Sequence, residues 1–426
     1  MEGASLLIDI IKDQVTPVLG CSESVAVAYA VATAKEALGG EVDNVEVVVD
    51  LKIYKNSFGV LIPGTDTKGL PMAVALAITG GKSRYKLEVL KDITEADLAA
   101  AMELLNRGSI EVTADKDVRG FFIEAVVSGP GGNVRVIIKD KHDNITLIEK
   151  VFQKPKKIAE NGPFLKDHIK AFSIAELVTF ADKVNLEDLD IVLSGIDMNK
   201  KIAQAGLEHR PGIGLGHMLH HDESDFGQYA KSLTAAGCDA RMAGYPLPVM
   251  SCFGSGNHGL TAFLPIVAVG EKRQCHEDRI VRAITLSLLV TIYIKSYTGT
   301  LSPVCGCGVA AGIGASAGIT YVLGGDVEQI KIAINNMIGG LPGMLCDGAK
   351  SGCSFKLSIA VGAAVEAALM AMDGVAIPPS DGIVDEAVEQ SIVNLGIVST
   401  NGMENTDEVM LDVMMAKAHS RAHLSS

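Results

Sequence analysis

The sequence contains no tryptophan, and aromatic residues make up only 4% of its 426 residues. Basic residues are also scarce, since 37 lysines and arginines stand against 51 aspartates and glutamates, a net charge of −14. Nucleic acid and anionic membrane surfaces both require a basic face, so this balance argues against either as a partner. Glycine is abundant instead, with 45 residues, and favours helices whose backbones approach each other or a ligand closely.

Long hydrophobic runs are missing as well. The most apolar run, residues 283–294, is followed by Lys295 and is too short to span a bilayer, so it predicts a buried helix. The stretch after Met1 has no charged leader and no cleavage site, and it carries Asp9 and Asp13 at the spacing of an amphipathic helix. We therefore expect a cytoplasmic protein with no membrane partner.

Hydrophobic periodicity divides the chain into three parts. Helical spacing dominates residues 1–41 and returns from about residue 171 to the end, while residues 42–157 are rich in β-branched runs separated by turn signals. The sequence predicts an α+β fold: a large, mainly helical domain with an inserted α/β domain of antiparallel sheet and helices. The predicted domains are 1–41, whose helices pack with the C-terminal domain, 42–157, the insertion, and 158–426, the helical domain.

Cysteine carries the clearest chemical signal. Among eight cysteines, Cys305, Cys307, Cys346 and Cys353 lie in glycine-rich sequence, without the paired C-x2-C spacing of structural zinc sites. In a reducing compartment such thiols indicate metal ligation rather than disulfides. A [4Fe-4S] cluster with three protein thiolates leaves one iron open as a Lewis acid. The residues alone leave an iron–sulfur site, a zinc site and inert or redox-active thiols open.

Cys21 stands apart from these cysteines, at the predicted N-terminus of the second helix. The free amide groups and the dipole at such a position lower the pKa of a thiol. A thiolate there can serve as a base, a nucleophile or a fourth ligand, and a packing role at the helix end is the alternative.

Together these residues resemble the iron–sulfur L-serine dehydratase alpha-chain and L-cysteine desulfidase family, in particular its cysteine desulfidase branch. The resemblance covers nearly the whole chain, although the separate N-terminal β-domain of serine dehydratases is not evident. It is carried, in order, by Pro17-Val-Leu-Gly20-Cys21-Ser-Glu23, Lys55-Asn56-Ser-Phe-Gly59-Val, Ile62-Pro63-Gly64-Thr65, Asp239-Ala-Arg241-Met-Ala-Gly244, Gly254-Ser-Gly256-Asn257-His-Gly259, Leu301-Ser302-x-x-Cys305 and Gly343-Met-x-Cys346-Asp347-Gly348-Ala349 with Cys353.

The resemblance implies a lyase that eliminates the β-substituent of L-cysteine or L-serine without pyridoxal phosphate. The products are pyruvate and ammonia, with sulfide or water. It implies a [4Fe-4S] cluster held by Cys305, Cys346 and Cys353 in the helical domain, and Cys21 as the catalytic base. It favours Cys305 over Cys307, which the sequence alone does not separate. Two glycine-rich turns then offer groups for the substrate's carboxylate and amine: Asn56, Ser255, Asn257 and His258.

Two other functions stay open beside this one. The chain can be a non-catalytic, amino-acid-binding protein of the same fold, or a zinc or redox thiol protein. In each case the expected partner is a small molecule, here an amino acid, and the sequence also allows a homodimer. Nothing in the sequence ranks cysteine above serine as the substrate. His258 stands where glutamine is common in the family, and this difference bears on substrate choice.

Overall fold

The computed structural model describes residues 2–118, 120–151, 164–221 and 224–424. Within these ranges the α-helices, in chain order, are α1 (Glu2–Gln14), α2 (Ser22–Leu38), α3 (Leu51–Ser57), α4 (Leu70–Thr79), α5 (Glu95–Asn106), α6 (Ile174–Lys183), α7 (Asp190–His209), α8 (Leu215–Leu219), α9 (Phe226–Met242), α10 (Gly256–Lys272), α11 (Glu277–Thr298), α12 (Ala311–Leu323), α13 (Val327–Gly340), α14 (Cys353–Met372), α15 (Val388–Thr400) and α16 (Thr406–Leu424). The strands are β1 (Pro17–Val18), β2 (Asn44–Asp50), β3 (Ile110–Asp115), β4 (Phe122–Gly129), β5 (Gly132–Lys139), β6 (Ile145–Val151) and β7 (Val249–Met250). The predicted α+β fold is confirmed.

Five strands form one mixed sheet in the order β3-β2-β4-β5-β6. The sequence predicts an antiparallel sheet, and this is wrong for one pair: β2 runs parallel to β3, with Val45 opposite Ile110. The other neighbours are antiparallel. Between β2 and β3 the chain forms α3, α4 and α5, and a crossover of this length returns the chain in its original direction, whereas tight hairpins reverse it.

One face of the sheet is covered by helices. In β2, Val45, Val47 and Val49 are buried and alternate with more exposed residues, as expected for a strand with one face in a core. Helices α2 and α4 pack on this side of the sheet, so α2 lies mainly against the inserted region, whereas α1 lies against α11. The predicted boundary at 41/42 falls between α2 and β2, and the boundary at 157/158 lies outside the described residues.

The C-terminal region is a helical assembly built around α11 and α12. Residues 283–294 lie inside α11 and are buried, which confirms the buried helix that this apolar run predicts. The sequence does not predict α10, because Gly254–Gly259 and Pro265 are typical of turns, yet the helix continues through Pro265. The N-cap of this helix, Ser255, and two residues of its first turn, Asn257 and His258, are predicted site residues.

Among the residues that the structure describes, three helical segments are long and apolar enough to cross a membrane by length and composition: Glu277–Thr298, Gly306–Leu323 and Cys353–Met372. In the most apolar 18-residue stretch of each segment, 83%, 78% and 50% of the residues, respectively, are buried inside the protein. Most residues of the first two segments are therefore buried in the core of the helical region.

Candidate active site

The segments that carry the C-terminal cysteines are paired through their backbones. Val304 and Leu345 form an antiparallel bridge. The amide of Cys305 donates to Met344 O at 2.7 Å, and the amide of Cys346 donates to Pro303 O, also at 2.7 Å. Pairing of two loops in this way brings together thiols that are far apart in the sequence.

The thiols line one cavity of about 60 Å³. Cys305, Cys307, Cys346 and Cys353 all line it, and Cys353 is the first residue of α14. The same wall includes the predicted substrate-binding residues Asn56, Ser255, Asn257 and His258. Cys21 is not among the side chains that line it. The structure thus brings together all the predicted site residues except Cys21, which lies one side chain behind the wall.

The donor set suits an iron–sulfur cluster. A hydrogen bond with Cys307, together with burial, raises the pKa of Cys305 to about 12, and a hydrogen bond with Cys305 raises the pKa of Cys346 well above its ordinary value. Burial also raises the pKa of Cys353. Within the described residues, no three His, Cys, Asp or Glu side chains are arranged around a single metal ion. A cube holds its thiolates on separate corners, so soft thiol donors spread over one cavity fit a cluster better than a zinc ion.

A buried lysine anchors the segment around Cys346. Lys55 is only 1% exposed; its Nζ donates to Cys346 O at 2.6 Å and forms an ion pair with Asp407 in the first turn of α16. The next residue, Asn56, accepts from the amide of Ala349 at 3.1 Å through its backbone oxygen. Gly348 has a φ of +86°, and a Cβ there would come within 2.6 Å of Lys55 O, so only glycine fits this close approach.

A chain of side chains connects Cys346 with Cys21. Cys346 Sγ lies 3.9 Å from Asn56 Oδ1, and Asn56 Nδ2 donates to Glu23 Oε1 at 3.0 Å. Cys21 Sγ in turn donates to Glu23 Oε2 at 3.2 Å. Burial opposes ionisation of Glu23, but its pKa lies below the ordinary value, because the protonated form of His142 and the hydrogen bonds from Asn56 and Cys21 favour the carboxylate. Glu23 is therefore a carboxylate that lines the cavity and separates Cys21 from it.

Cys21 occupies the predicted position but not the predicted ionisation state. It is the N-cap of α2 and is 1% exposed. Burial and the neighbouring Glu23 carboxylate raise its pKa to about 12, although Arg241 acts in the opposite direction. The expectation of a depressed pKa is wrong in this structure, because desolvation and a like charge outweigh the helix N-terminus.

The N-cap and the first turn of α10 form part of the same cavity wall. Asn257 Oδ1 accepts from Arg241 Nη1 at 3.0 Å, and Ser255 Oγ lies 3.8 Å from Cys307 Sγ. His258 Nδ1 lies 3.0 Å from Cys252 O; because a carbonyl only accepts, Nδ1 carries the hydrogen. A Cβ on Gly306 would lie 2.3 Å from His258 Nε2, so this nitrogen faces the backbone between Cys305 and Cys307.

Three charged or titratable residues line the cavity but are not among the predicted site residues. Arg241 is 4% exposed and donates from Nη2 to Gly20 O at 2.7 Å, which fixes the turn before α2. Lys295, the residue that ends the apolar run, is 1% exposed and donates to Ser302 Oγ at 3.2 Å; burial lowers its pKa to about 8. His142 reaches the cavity from the turn between β5 and β6. Of the three, only Arg241 lies in a segment that the sequence analysis singled out.

Known proteins are similar to this chain over most of its length. A family model described as the serine dehydratase alpha chain matches residues 84–412, which include all four cavity cysteines but neither Cys21 nor Asn56. UPF0597 proteins are similar over almost their entire length. The one from Clostridium tetani is 51% identical over 98% of this chain and 100% of its own. Those from Caldanaerobacter subterraneus and Clostridioides difficile are 50% and 44% identical, over 97% and 95% of this chain and 98% of their own.

The match covers most of the helical region and all four cysteines of the cavity, and the relatives are also similar over α1, α2 and α3. Both findings agree with the resemblance seen in the sequence motifs. The chain belongs to the serine dehydratase alpha-chain family, alongside the UPF0597 proteins.

Proposed function

We propose that the protein is a cytoplasmic lyase that converts L-cysteine or L-serine into pyruvate and ammonia, with release of sulfide or water. The observation that carries this proposal is the convergence of Cys305, Cys346 and Cys353 on one cavity that also holds buried polar groups for an amino acid. Membership of a family of lyase-type dehydratases, which typically depend on iron and sulfur, supports it.

Cys305, Cys346 and Cys353 would hold a [4Fe-4S] cluster, with Cys307 as the neighbouring thiol. When bound, such a cluster supplies an open iron that acts as a Lewis acid on the β-hydroxyl or β-thiol of the substrate. The protein's own side chains supply the remaining functions: they bind the zwitterion, exclude water and transfer protons.

The charges around the cavity suit a zwitterionic amino acid. Lys295 and Arg241 are buried cations for which the structure shows no carboxylate partner among the described residues, and they can receive the α-carboxylate. Glu23 is a buried carboxylate that can receive the α-ammonium group. Loss of the α-proton and of the β-substituent leaves aminoacrylate, which takes up water to give pyruvate and ammonia.

An anaerobic assay tests the proposal. The full chain is reconstituted with iron and sulfide without oxygen, and pyruvate is measured with L-cysteine and with L-serine. We expect a brown protein that forms pyruvate from at least one of them, with Cys346→Ser as a colourless and inactive control. A fully reconstituted protein that forms no pyruvate would contradict the proposal; if that protein still binds L-cysteine, the amino-acid-binding alternative gains support.

A further inference from the structure

A β-elimination requires a group that accepts the α-proton, and this requirement follows from the proposed function, on which the inference below rests. The acceptor must face the substrate, and it must be unprotonated near neutral pH.

Cys21, the base implied by the family resemblance, meets neither condition in this structure. It is not among the residues that line the cavity, and its Sγ donates its proton to Glu23 Oε2. A thiol that serves as a hydrogen-bond donor to a carboxylate holds that carboxylate in place. Its thiolate form would lie against a second negative charge.

His142 meets both conditions. The side chain is 2% exposed and lines the cavity, yet neither ring nitrogen has a hydrogen-bond partner among the described residues. Buried imidazole nitrogens are normally paired, so two unpaired ones in a cavity wall indicate a ring that meets its partner only when a ligand is bound. A Cβ on Gly254 would lie 2.2 Å from Nδ1, so Nδ1 faces backbone and Nε2 is the nitrogen available to a ligand.

The turn that carries His142 is held firmly against the helical region. Asp140 O accepts from Thr300 Oγ1 at 3.2 Å, and Lys141 forms an ion pair with Asp13 of α1 at 2.7 Å. The ring of Phe121 lies against the imidazole with a centroid separation of 4.4 Å. The position of the ring is therefore fixed by the fold rather than by a mobile loop.

We propose that His142 Nε2 is the catalytic group that removes the α-proton of the bound amino acid. The electron pair of the Cα–H bond forms the Cα=Cβ double bond, while the bond from Cβ to sulfur or oxygen breaks and the leaving group keeps its electrons. The imidazolium then returns the proton to the departing hydrosulfide or hydroxide. The products are aminoacrylate with hydrogen sulfide or water, and His142 is neutral again.

The electrostatic surroundings of the ring agree with this role. Burial lowers the pKa of His142 to about 4, against the effect of the carboxylates of Glu23 and Asp143, while Lys166 and Lys141 act in the same direction as burial. The free ring is therefore neutral at pH 7, and one ring nitrogen keeps its lone pair. Glu23 stabilises the imidazolium that forms during the reaction, and Cys21 and Asn56 keep Glu23 in place.

The test compares His142→Asn with Cys21→Ser in the reconstituted protein. For His142→Asn we expect unchanged iron content and circular dichroism, a KM within a few-fold of wild type, and a kcat lower by roughly 10²–10⁴-fold. Cys21→Ser keeps kcat within about tenfold, because its role is to hold Glu23. His276→Asn, a change at an exposed histidine outside the cavity, is the matched control.

Two further readouts separate catalysis from structure. Added imidazole restores part of the kcat of His142→Ala, which a purely structural role would not allow. In D2O, wild type and Cys21→Ser introduce deuterium at Cα of L-alanine, which has no leaving group, and His142→Asn does not.

A kcat for His142→Asn within tenfold of wild type, with Cys21→Ser inactive, overturns the assignment and leaves the proposed function intact. A wild-type protein inactive on both amino acids overturns the proposed function and the assignment together.

Discussion

The buried ion pair between Lys55 and Asp407 allows a quantitative test of how the cysteine cavity is supported. Lys55 is 1% exposed and Asp407 5% exposed, and they join α3 to α16. Asp407→Asn would leave the Lys55 ammonium buried with no carboxylate. Breaking a buried pair on one side costs roughly 3–5 kcal/mol, because the remaining charge stays desolvated.

Lys52 provides the matched control, since it pairs with the same carboxylate from a partly exposed position. Its Nζ lies 3.8 Å from Asp407 Oδ2, and its side chain is 39% exposed. Solvent screens such a pair, so Lys52→Met should cost less than about 1 kcal/mol. Asp407→Asn removes both ion pairs and Lys52→Met removes only the partly exposed one, so the difference between the two variants reports the buried pair.

The assay is thermal unfolding followed by circular dichroism, with hydrogen exchange of the segment around Cys346. For 426 residues the unfolding entropy is about 0.9 kcal/mol/K, so Asp407→Asn should lower the Tm by roughly 3–5 °C and Lys52→Met by about 1 °C or less. The amide of Cys346 should exchange faster in Asp407→Asn only. Equal small shifts for both variants would refute the view that this pair supports the cavity.

Three more predictions follow from the site. Cys346→Ser should lose bound iron and activity together, whereas Cys307→Ser should keep both, as measured by iron analysis and pyruvate formation; the reverse pattern would make Cys307 the ligand. Cys21→Ser should keep its iron, because Cys21 does not line the cavity, and iron loss would show that it is a ligand. The folded-state pKa of His142, about 4, lies below its ordinary 6.5, so its contribution to stability is complete above pH 6.5 and is lost as the pH falls towards 4. Urea denaturation of the protein without iron should therefore show a smaller loss between pH 6.5 and 4 in His142→Asn than in wild type.

The sequence predicts much of the fold because its signals are local. Helix α2 begins directly after Cys21, at the helix N-terminus that the sequence predicts, and the apolar run before Lys295 is a buried helix. The predicted antiparallel direction is wrong for the β2–β3 pair, because the direction of a strand pair depends on the connection between the two strands. A pattern within either strand does not record that connection.

In the candidate site, too, some residues can be recognised from the local sequence, whereas others reach the cavity only through the tertiary fold. The C-terminal cysteines stand out because thiols between glycine-rich turns are unusual in composition. His142 carries no such mark, since only the docking of the β5–β6 turn on the helical region brings it to the cavity. The pKa of Cys21 could not be predicted either, because it depends on complete burial beside Glu23 rather than on the helix terminus.

The anchor of Cys346 has a consequence for the order in which the site forms during synthesis. The segment from Val304 to Cys346 leaves the ribosome well before Asp407, and the inserted region with Lys55 leaves earlier still. Until α16 emerges, the Lys55 ammonium has no buried carboxylate and the loop that it holds lacks its support. The nascent chain can therefore build its sheet and most of its helices while the thiols remain unassembled. Loading of the proposed cluster would then follow translation.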